Sequence, residues 1–230
     1  TLADYFPELI GRIENAEKIT LRMMVQHRSG IPNYTNVPNF WINPPENNKD
    51  KLELILDLPA NFEPDEDYEY SNTNYLLISE LINKVTGQSK FQFIKEEILI
   101  PLRLENTFGS IHDVDMEKVM SGYYVGVEED IKSADYGSML ATAEDVGIFL
   151  RALNEGSIFK EGEREIYSSL YEYEHSGLIP GYQSIAKYHK DIDTVIIQFV
   201  NTTNFDGYLW NLSEIVYNRI AKIVKNRKSA

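Results

Sequence analysis

The chain has 230 residues, of which 43% are hydrophobic and 12% aromatic, so it is long enough to bury a substantial core. Its 22 basic and 36 acidic residues give a formal charge of −14, which argues against nucleic acid or an anionic membrane surface as a partner. The absence of cysteine excludes disulfides, a thiolate nucleophile and thiolate metal ligands.

No stretch of the sequence approaches the roughly 20 apolar residues that a membrane-spanning helix needs. Residues 1–6 do not resemble a signal peptide and read as part of a short amphipathic segment. We therefore expect further polypeptide upstream of Thr1, which could include a signal peptide.

Short helices and loops are predicted in the first part of the chain. Thr20 can cap a first helix, and a loop rich in Asn and Pro follows it. Pro59 stops a second short helix. These three elements cover residues 20–30, 36–50 and 51–58.

Three longer helices follow. The clearest covers about Thr73–Thr86, where Gly87 supplies a left-handed stop. The second covers Phe91–Leu99 and halts before Pro101, and the third lies between a Thr142 cap and Gly156. The apolar stripe of the clearest helix comprises Tyr75, Ile78, Leu81, Ile82 and Val85.

From Tyr171 onward the apolar spacing becomes that of strands and then of a last helix. Three strands with short connections predict an antiparallel meander, covered by a helix with apolar Leu209, Leu212, Ile215, Val216, Ile220 and Ile223. The strands and the helix cover residues 171–175, 182–188, 194–200 and 208–224. The fold class is α+β, an antiparallel sheet flanked by helices in a single domain, with a helical part at about 1–165 and the sheet and last helix at about 166–230.

Tyr70-Ser71-Asn72 stands immediately before the clearest helix, whose N-terminus stabilises negative charge. A phenol has an ordinary pKa of about 10, so a base near pH 7 needs roughly 4 kcal/mol of stabilisation of the phenolate. The helix end supplies only about 0.3–1 kcal/mol, and a neighbouring cation is therefore required. In the simpler interpretation, Asn72 is a helix cap and Tyr70 a partly buried ring.

His175-Ser176-Gly177 lies at the end of a predicted strand, and Pro180-Gly181 turns the chain back into the next one. A glycine on such an edge lets a ligand approach the strand closely. The backbone N–H of Leu178 would then be an oxyanion donor. The simpler interpretation is an ordinary turn with a surface histidine.

These two motifs resemble the second and third motifs of the penicillin-recognising serine hydrolases, in the branch of class C β-lactamases, D-alanyl-D-alanine carboxypeptidases and related esterases. The similar segments run from Tyr70 through Gly87 and from His175 through Ser184. Two further segments are similar to that family, Ile19–Pro32, which contains His27-x-Ser29-Gly30-Ile31-Pro32, and Gly137–Val146. The resemblance covers nearly the whole chain in the family's order.

The resemblance implies a β-lactamase/transpeptidase-like fold and an acyl-enzyme mechanism. Tyr70 would help to move the proton, Asn72 would orient the substrate amide, and His175 would stand where many members have lysine. Gly177, beside Ser176 in the substrate-binding strand, would keep the edge open, and the Leu178 N–H would form half of the oxyanion hole. No cofactor is implied.

The family's nucleophilic Ser-x-x-Lys has no convincing counterpart in residues 1–230, because it stands upstream of the segment that residues 1–8 resemble. Ser157-Ile158-Phe159-Lys160 follows a helix stop, and Ser184-Ile185-Ala186-Lys187 lies on a predicted strand, where residues three apart point to opposite faces. We therefore expect a nucleophile supplied by a missing N-terminal segment, which would also hold the first strands of the sheet. Residues 1–230 alone are expected to be inactive.

The sequence thus predicts part of a serine acyl hydrolase acting on a β-lactam, a D-Ala peptide or a small ester or amide. The alternative is a noncatalytic peptide- or glycan-binding module of the same fold. His112, Asp113 and Asp115 could be imagined as a metal site, but the four histidines show no ligand spacing, and we predict no metal. An extracytoplasmic or cell-envelope location is suggested by the family resemblance alone.

Overall fold

A computed structural model describes residues 1–171, 173–205 and 207–228. The chain forms two compact units, which comprise residues 1–95 with 166–171, and residues 96–165 with 172–230. The chain contains both helices and a mainly antiparallel set of strands, which is the α+β class that the sequence predicts. Within the described ranges, no helix is both long and apolar enough to cross a lipid bilayer.

Helices dominate the first unit. The hydroxyl of Thr20 accepts the backbone N–H of Met23 at 3.2 Å, which confirms the predicted cap. Gly87 ends the longest of these helices at φ 72°, a left-handed conformation that glycine adopts without strain. The helices are α1 (Leu2–Tyr5), α2 (Leu21–Val25), α3 (Asn48–Glu53), α4 (Asn72–Thr86) and α5 (Lys90–Ile94).

A single apolar cluster forms the core of the first unit. The face of α4 that enters it differs in part from the predicted stripe: Leu81 is buried as predicted, but Leu77, outside the stripe, is also buried and Val85 is exposed. Polar Thr73 and Asn74 are also buried on α4, where partners in the preceding loop satisfy them. The cluster comprises Leu2, Phe6, Leu9, Ile13, Ala16, Ile19, Met24, Ile31, Ile55, Leu77 and Leu81.

Several predicted helix boundaries in the first half of the chain are wrong, including that of α2, which ends at Val25 rather than near residue 30. The second short helix begins and ends earlier than residues 51–58, because Asn47 caps it by accepting the N–H of Asp50 at 2.9 Å. The helix predicted over Phe91–Leu99 begins as α5, passes through a π-helical turn, Lys95–Leu99, and continues as α6 (Ile100–Leu102). Pro101 stands at the start of α6, which directly follows the π-helical turn.

The second unit contains the antiparallel meander that the sequence predicts. Strands β4 (His175–Ile179), β5 (Tyr182–His189) and β6 (Thr194–Val200) pair in the order β4-β5-β6. Two small pairs accompany this sheet: β1 (Thr107–Phe108) with β3 (Leu140–Ala141), and the parallel β2 (Tyr123–Tyr124) with β7 (Thr202–Thr203).

Helices α7 (Ala143–Glu155) and α9 (Tyr208–Lys228) pack against β5 and β6. A further short helix, α8, spans Glu163–Ser168. Thr142 caps α7 by accepting the N–H of Asp145 at 3.2 Å, and Gly156 ends it at φ 89°, as predicted. The last helix is therefore present, but it extends to Lys228 rather than to Val224.

The face that α9 turns toward the sheet is not the predicted apolar stripe. Ser213, Tyr217 and Ala221 are buried there, and Tyr217 packs with Ile185 and Ile196 of the sheet. Their spacing of four residues places them on one side of the helix. The predicted residues Leu212, Ile215, Val216, Ile220 and Ile223 are instead exposed.

The first strand of the meander begins at His175, whereas the sequence predicts that it ends there. Its pairing with β5 starts at His175–Ala186, and the preceding Glu174 forms a 2.7 Å ion pair with Lys187 of β5. Glu172, part of the predicted strand 171–175, lies outside the described residues. The His175-Ser176-Gly177 motif therefore opens a strand that runs on to the turn.

Candidate functional site

The start of α4 presents the first group of candidate residues. Ser71 is the N-cap residue and Asn72 is the first helical residue, so the interpretation of Asn72 as the cap is wrong by one position. The Asn72 side-chain amide donates to Asn33 Oδ1 at 3.4 Å and to Thr35 Oγ1 at 3.2 Å. Its Oδ1 is consequently directed toward the Tyr70 hydroxyl, 3.5 Å away.

The loop between α2 and α3 forms hydrogen bonds with the start of α4. Asn33 Oδ1 also accepts the backbone N–H of Asn72 at 3.1 Å, one of the donors that a helix N-terminus leaves unpaired. The Thr73 hydroxyl donates to the carbonyl of Pro32 at 2.6 Å and accepts the N–H of Tyr34 at 3.2 Å. The orientation of Asn72 is thus set by a segment about 40 residues earlier in the chain.

Tyr70 lies among other aromatic rings of the first unit and is 38% exposed. Burial, and secondarily the neighbouring phenols of Tyr171, Tyr34 and Tyr68, raise the pKa of Tyr70 to about 12. The phenol is therefore protonated at neutral pH in the described structure. A cation about 4–6 Å away would act in the opposite direction and lower that pKa.

Tyr75, one helical turn along α4, belongs to the same phenol cluster. Its hydroxyl shares a hydrogen bond with the hydroxyl of Tyr171. Burial, followed by that hydrogen bond, raises the pKa of Tyr75 above its ordinary value. Two protonated phenols therefore lie side by side, with ring centroids 5.9 Å apart for Tyr70 and Tyr75.

Strand β4, in the second unit, presents the other candidate residues. It is the edge strand of the three-stranded sheet as described, and a two-residue turn joins it to β5. Such a turn makes Ile179 and Tyr182 a hydrogen-bonded pair, and pairs then alternate along an antiparallel ladder. The pair Leu178–Gln183 is consequently not hydrogen-bonded, and the N–H of Leu178 points away from β5.

Gly177 has a second physical reason to be glycine besides an open edge. A Cβ built on Gly177 would come within 2.7 Å of the Ser184 hydroxyl, which stands opposite it on β5. Ser176 and His175 are exposed, and His175 Nδ1 lies 2.5 Å from the Ser176 carbonyl oxygen. Because a carbonyl can only accept, Nδ1 carries the proton in this arrangement.

Within each of the two motifs, the structure therefore brings the candidate residues close together. Tyr70 and Asn72 are adjacent in the first unit, and residues 175–178 form an edge in the second. That both motifs serve one groove stays a prediction. Sequence reasoning missed Asn33 and Thr35; the available signal was that Asn33 directly follows the His27-x-Ser29-Gly30-Ile31-Pro32 segment already singled out.

The two Ser-x-x-Lys matches lie where the sequence predicts. Ser157 stands in the turn that follows Gly156, at the end of α7 rather than at the start of a helix. Ser184 and Lys187 both lie on β5. Neither arrangement sets a lysine one helical turn from a serine.

Comparison with known proteins gives concordant matches. The Beta-lactamase family profile matches residues 1–172. Penicillin-binding protein 4* of Bacillus subtilis (strain 168) is 30% identical over 122 residues, which cover 51% of this chain and 27% of that protein. Protein flp of Staphylococcus aureus (strain MW2) is 26% identical over 170 residues, covering 70% of this chain and 33% of that protein. The chain thus spans a third or less of the length of these relatives.

Solved structures share the fold. A D-amino acid amidase from Ochrobactrum anthropi SV3, complexed with L-phenylalanine amide, superposes with a TM-score of 0.80 at 21% identity, over 98% of this chain and 76% of that one. A penicillin binding protein from Bacillus halodurans superposes with a TM-score of 0.70 at 19% identity, over 88% of this chain and 73% of that one. The predicted fold class is confirmed.

Proposed function

Because the chain belongs to the β-lactamase family, we propose that it serves in a serine hydrolase that forms and then hydrolyses an acyl-enzyme. The observation that carries this proposal is the fixed Asn72 amide beside the Tyr70 hydroxyl at the start of α4. Side chains that only capped a helix would not need a separate loop to orient them. Such preorganisation is what a site for a reacting carbonyl requires.

The proposed roles follow the chemistry of acyl transfer. A serine oxygen bonds to the substrate carbonyl carbon, the bond from that carbon to the leaving group breaks, and the serine proton passes through Tyr70 to the leaving group. Water later cleaves the acyl–serine ester, which gives the free acid and restores the serine hydroxyl. Asn72 orients the substrate amide, and the outward N–H of Leu178 donates to the carbonyl oxygen as it becomes negative. Ser176 and Gly177 line the substrate strand, and His175 contributes a neutral or cationic donor.

We place the nucleophile outside residues 1–230. Support comes from the positions of Ser157 and Ser184, one in a turn and one on a strand, neither at the start of an apolar helix. Tyr70, whose pKa is raised by burial, would need a cation beside that nucleophile before it could accept a proton. A lysine one helical turn from the nucleophile would be that cation.

The substrate class we propose is a small acyl compound: a D-Ala peptide, an ester or amide, or a β-lactam. A histidine at 175, where many family members have lysine, leaves one fewer permanent cation at neutral pH. Peptidase or esterase activity is therefore favoured over efficient β-lactam hydrolysis. On family grounds we propose a location at the cell envelope.

One observation favours a second candidate, a noncatalytic peptide- or glycan-binding module. The protonated Tyr70 phenol is suited to donating a hydrogen bond to a bound ligand, with no further group needed. The two candidates differ in whether a covalent adduct forms.

The test uses the full polypeptide that contains this chain, treated with a fluorescent penicillin and with a fluorophosphonate. Covalent labelling is expected, and peptide mapping should place the label on a serine outside residues 1–230. Ser157→Ala and Ser184→Ala serve as matched variants that keep the labelling. A label on either serine would refute the placement of the nucleophile. No label, with nitrocefin and p-nitrophenyl esters also unhydrolysed, would favour the binding module.

A further inference from the structure

A chain of buried polar side chains lies beneath the start of α4. It runs from Ser29 through Asn74 and His27 to the backbone of Ser71, and each of these residues is at most 2% exposed. Buried polar groups are stable only when they are hydrogen-bonded, so this chain needs all of its bonds. It lies directly under the tripeptide that carries Tyr70 and Asn72.

The donors and acceptors of this chain can be assigned. The Ser29 hydroxyl donates to Asn74 Oδ1 at 2.7 Å, which leaves the Asn74 amide nitrogen facing His27 Nδ1 at 3.3 Å. The backbone N–H of Ser71 points at the same Nδ1, 3.2 Å away. A backbone N–H can only donate, so Nδ1 is the acceptor and the proton of the neutral ring lies on Nε2.

His27 also contacts the tyrosines themselves. Its ring centroid lies 4.4 Å from that of Tyr70 at an interplanar angle of 33°, and 5.0 Å from that of Tyr75, nearly edge-on. His27 reaches this position because it takes a left-handed conformation, φ 56°, just past the end of α2. Histidine and asparagine adopt that conformation more readily than most residues.

We propose that His27 is a positioning residue, which holds Tyr70 and Asn72 in register by accepting the Ser71 N–H between them through Nδ1. This inference rests on the serine hydrolase proposed above. The proposal attributes the positioning of Tyr70 and Asn72 to one acceptor atom, Nδ1 of His27. If His27 served only in core packing, any ring of the same volume would be sufficient. The two roles can therefore be separated by substitution.

Two variants make the separation. His27→Asn places an amide oxygen near the position of Nδ1 and tolerates the left-handed backbone, but it removes the ring that packs on Tyr70. His27→Phe keeps a ring of similar size and removes the acceptor, which leaves the Ser71 N–H and the Asn74 amide without it. If the Nδ1 acceptor positions Tyr70 and Asn72, His27→Asn should retain acylation and His27→Phe should lose it.

The experiment measures two quantities on the full polypeptide, at a temperature well below unfolding. The first is the rate of acylation by the fluorescent penicillin or fluorophosphonate. His27→Phe should slow it about 10- to 100-fold, the size of effect expected when reacting groups shift by about 1 Å, and His27→Asn should stay within about threefold of wild type. The second is hydrogen exchange of the Ser71 amide, which should accelerate in His27→Phe and stay slow in His27→Asn.

Leu81→Ala is the matched control for general destabilisation of the first unit. Leu81 is a buried core residue of α4, about two helical turns beyond Asn74, so its loss should lower the melting temperature but leave acylation unchanged. Wild-type acylation in His27→Phe, or equal losses in both His27 variants, would overturn the proposal. If the wild-type polypeptide is not acylated at all, the hydrolase proposal fails; an unchanged Ser71 exchange in His27→Phe would then refute the positioning role on its own.

Discussion

At the scale of single residues, Tyr70 is held in a state opposite to the one that a general base needs. Burial and neighbouring phenols raise its pKa to about 12, and its hydroxyl faces Asn72 Oδ1 as a donor. The residue is therefore protonated and donates a hydrogen bond, and it becomes a proton acceptor only when a cation is brought close. The phenol group of Tyr70 determines which proton it can exchange, and the neighbouring groups determine its pKa.

Replacing Tyr70 by phenylalanine should slow acylation of the full polypeptide by about 10²- to 10⁴-fold, because it removes the group that we propose transfers the proton. The measurement is the labelling rate with the fluorescent penicillin or fluorophosphonate. Tyr68→Phe removes a hydroxyl two residues away, on an exposed side chain, and should change the rate by less than about threefold. Equal rates in the two variants would remove Tyr70 from the mechanism.

At the scale of secondary-structure elements, the orientation of an element decides what its residues do. On α9 the residues that pack on the sheet are Ser213, Tyr217 and Ala221, and a different set of larger apolar residues is exposed. On β4 the alternation of the ladder turns the N–H of Leu178 outward. Neither orientation is a property of the element's own composition.

The two sides of α9 should differ in their contribution to stability. Tyr217, 3% exposed, should lose about 3–5 kcal/mol of unfolding free energy when replaced by alanine. Ile220, 40% exposed, should lose less than about 1 kcal/mol in the same substitution. Denaturant unfolding followed by the fluorescence of Trp210, in a Trp41→Phe background, reports on this helix. A larger loss at Ile220 than at Tyr217 would show that the helix packs through its other face.

The outward N–H of Leu178 can be removed without disturbing the sheet. Proline is tolerated in an edge strand where the N–H faces away from the neighbouring strand, so Leu178→Pro should fold. Acylation should nevertheless fall by about 10²- to 10³-fold, since the proposed oxyanion donor is lost. Leu178→Ala keeps the N–H and should lose far less. If proline and alanine behave alike, this N–H is not an oxyanion donor.

At the scale of the whole molecule, charge and buried phenols set the response to pH. The chain carries a formal charge of −14 at pH 7, and phenols with raised pKa occur in both units. Burial raises the pKa of Tyr182 and of Tyr217 to about 12, as it does that of Tyr70. The unfolded chain would release these protons near the ordinary phenol pKa of about 10.

Stability should therefore fall as the pH rises from about 10 through 12. In that range the unfolded state binds fewer protons than the folded state, so the free energy of unfolding decreases with pH. Denaturation midpoints at a series of pH values measure the effect, and Tyr217→Phe should flatten the decline. Salt should relieve the part that comes from repulsion between negative charges and leave the part that comes from buried phenols. A midpoint constant between pH 9 and 12 would contradict the prediction.

Much of the candidate site was predictable because its signals are local. Tyr70 and Asn72 stand beside a helix start that the apolar spacing and Gly87 indicate, and Pro180-Gly181 marks the turn after His175-Ser176-Gly177. Asn33 and Thr35 were not predictable in their role, because hydrogen bonds across about 40 residues leave no periodic trace in the sequence.

The sequence by itself determined the α+β class, the cap of α2, the stop of α4, the cap and stop of α7, and the presence of an antiparallel meander. Each depends on interactions between residues a few positions apart, which composition and spacing encode directly. Only the tertiary structure decided which face of α9 is buried, which way Asn72 is turned and which atom of His27 accepts a bond. These depend on groups distant in the chain competing for the same contacts, and the folded packing selects among them.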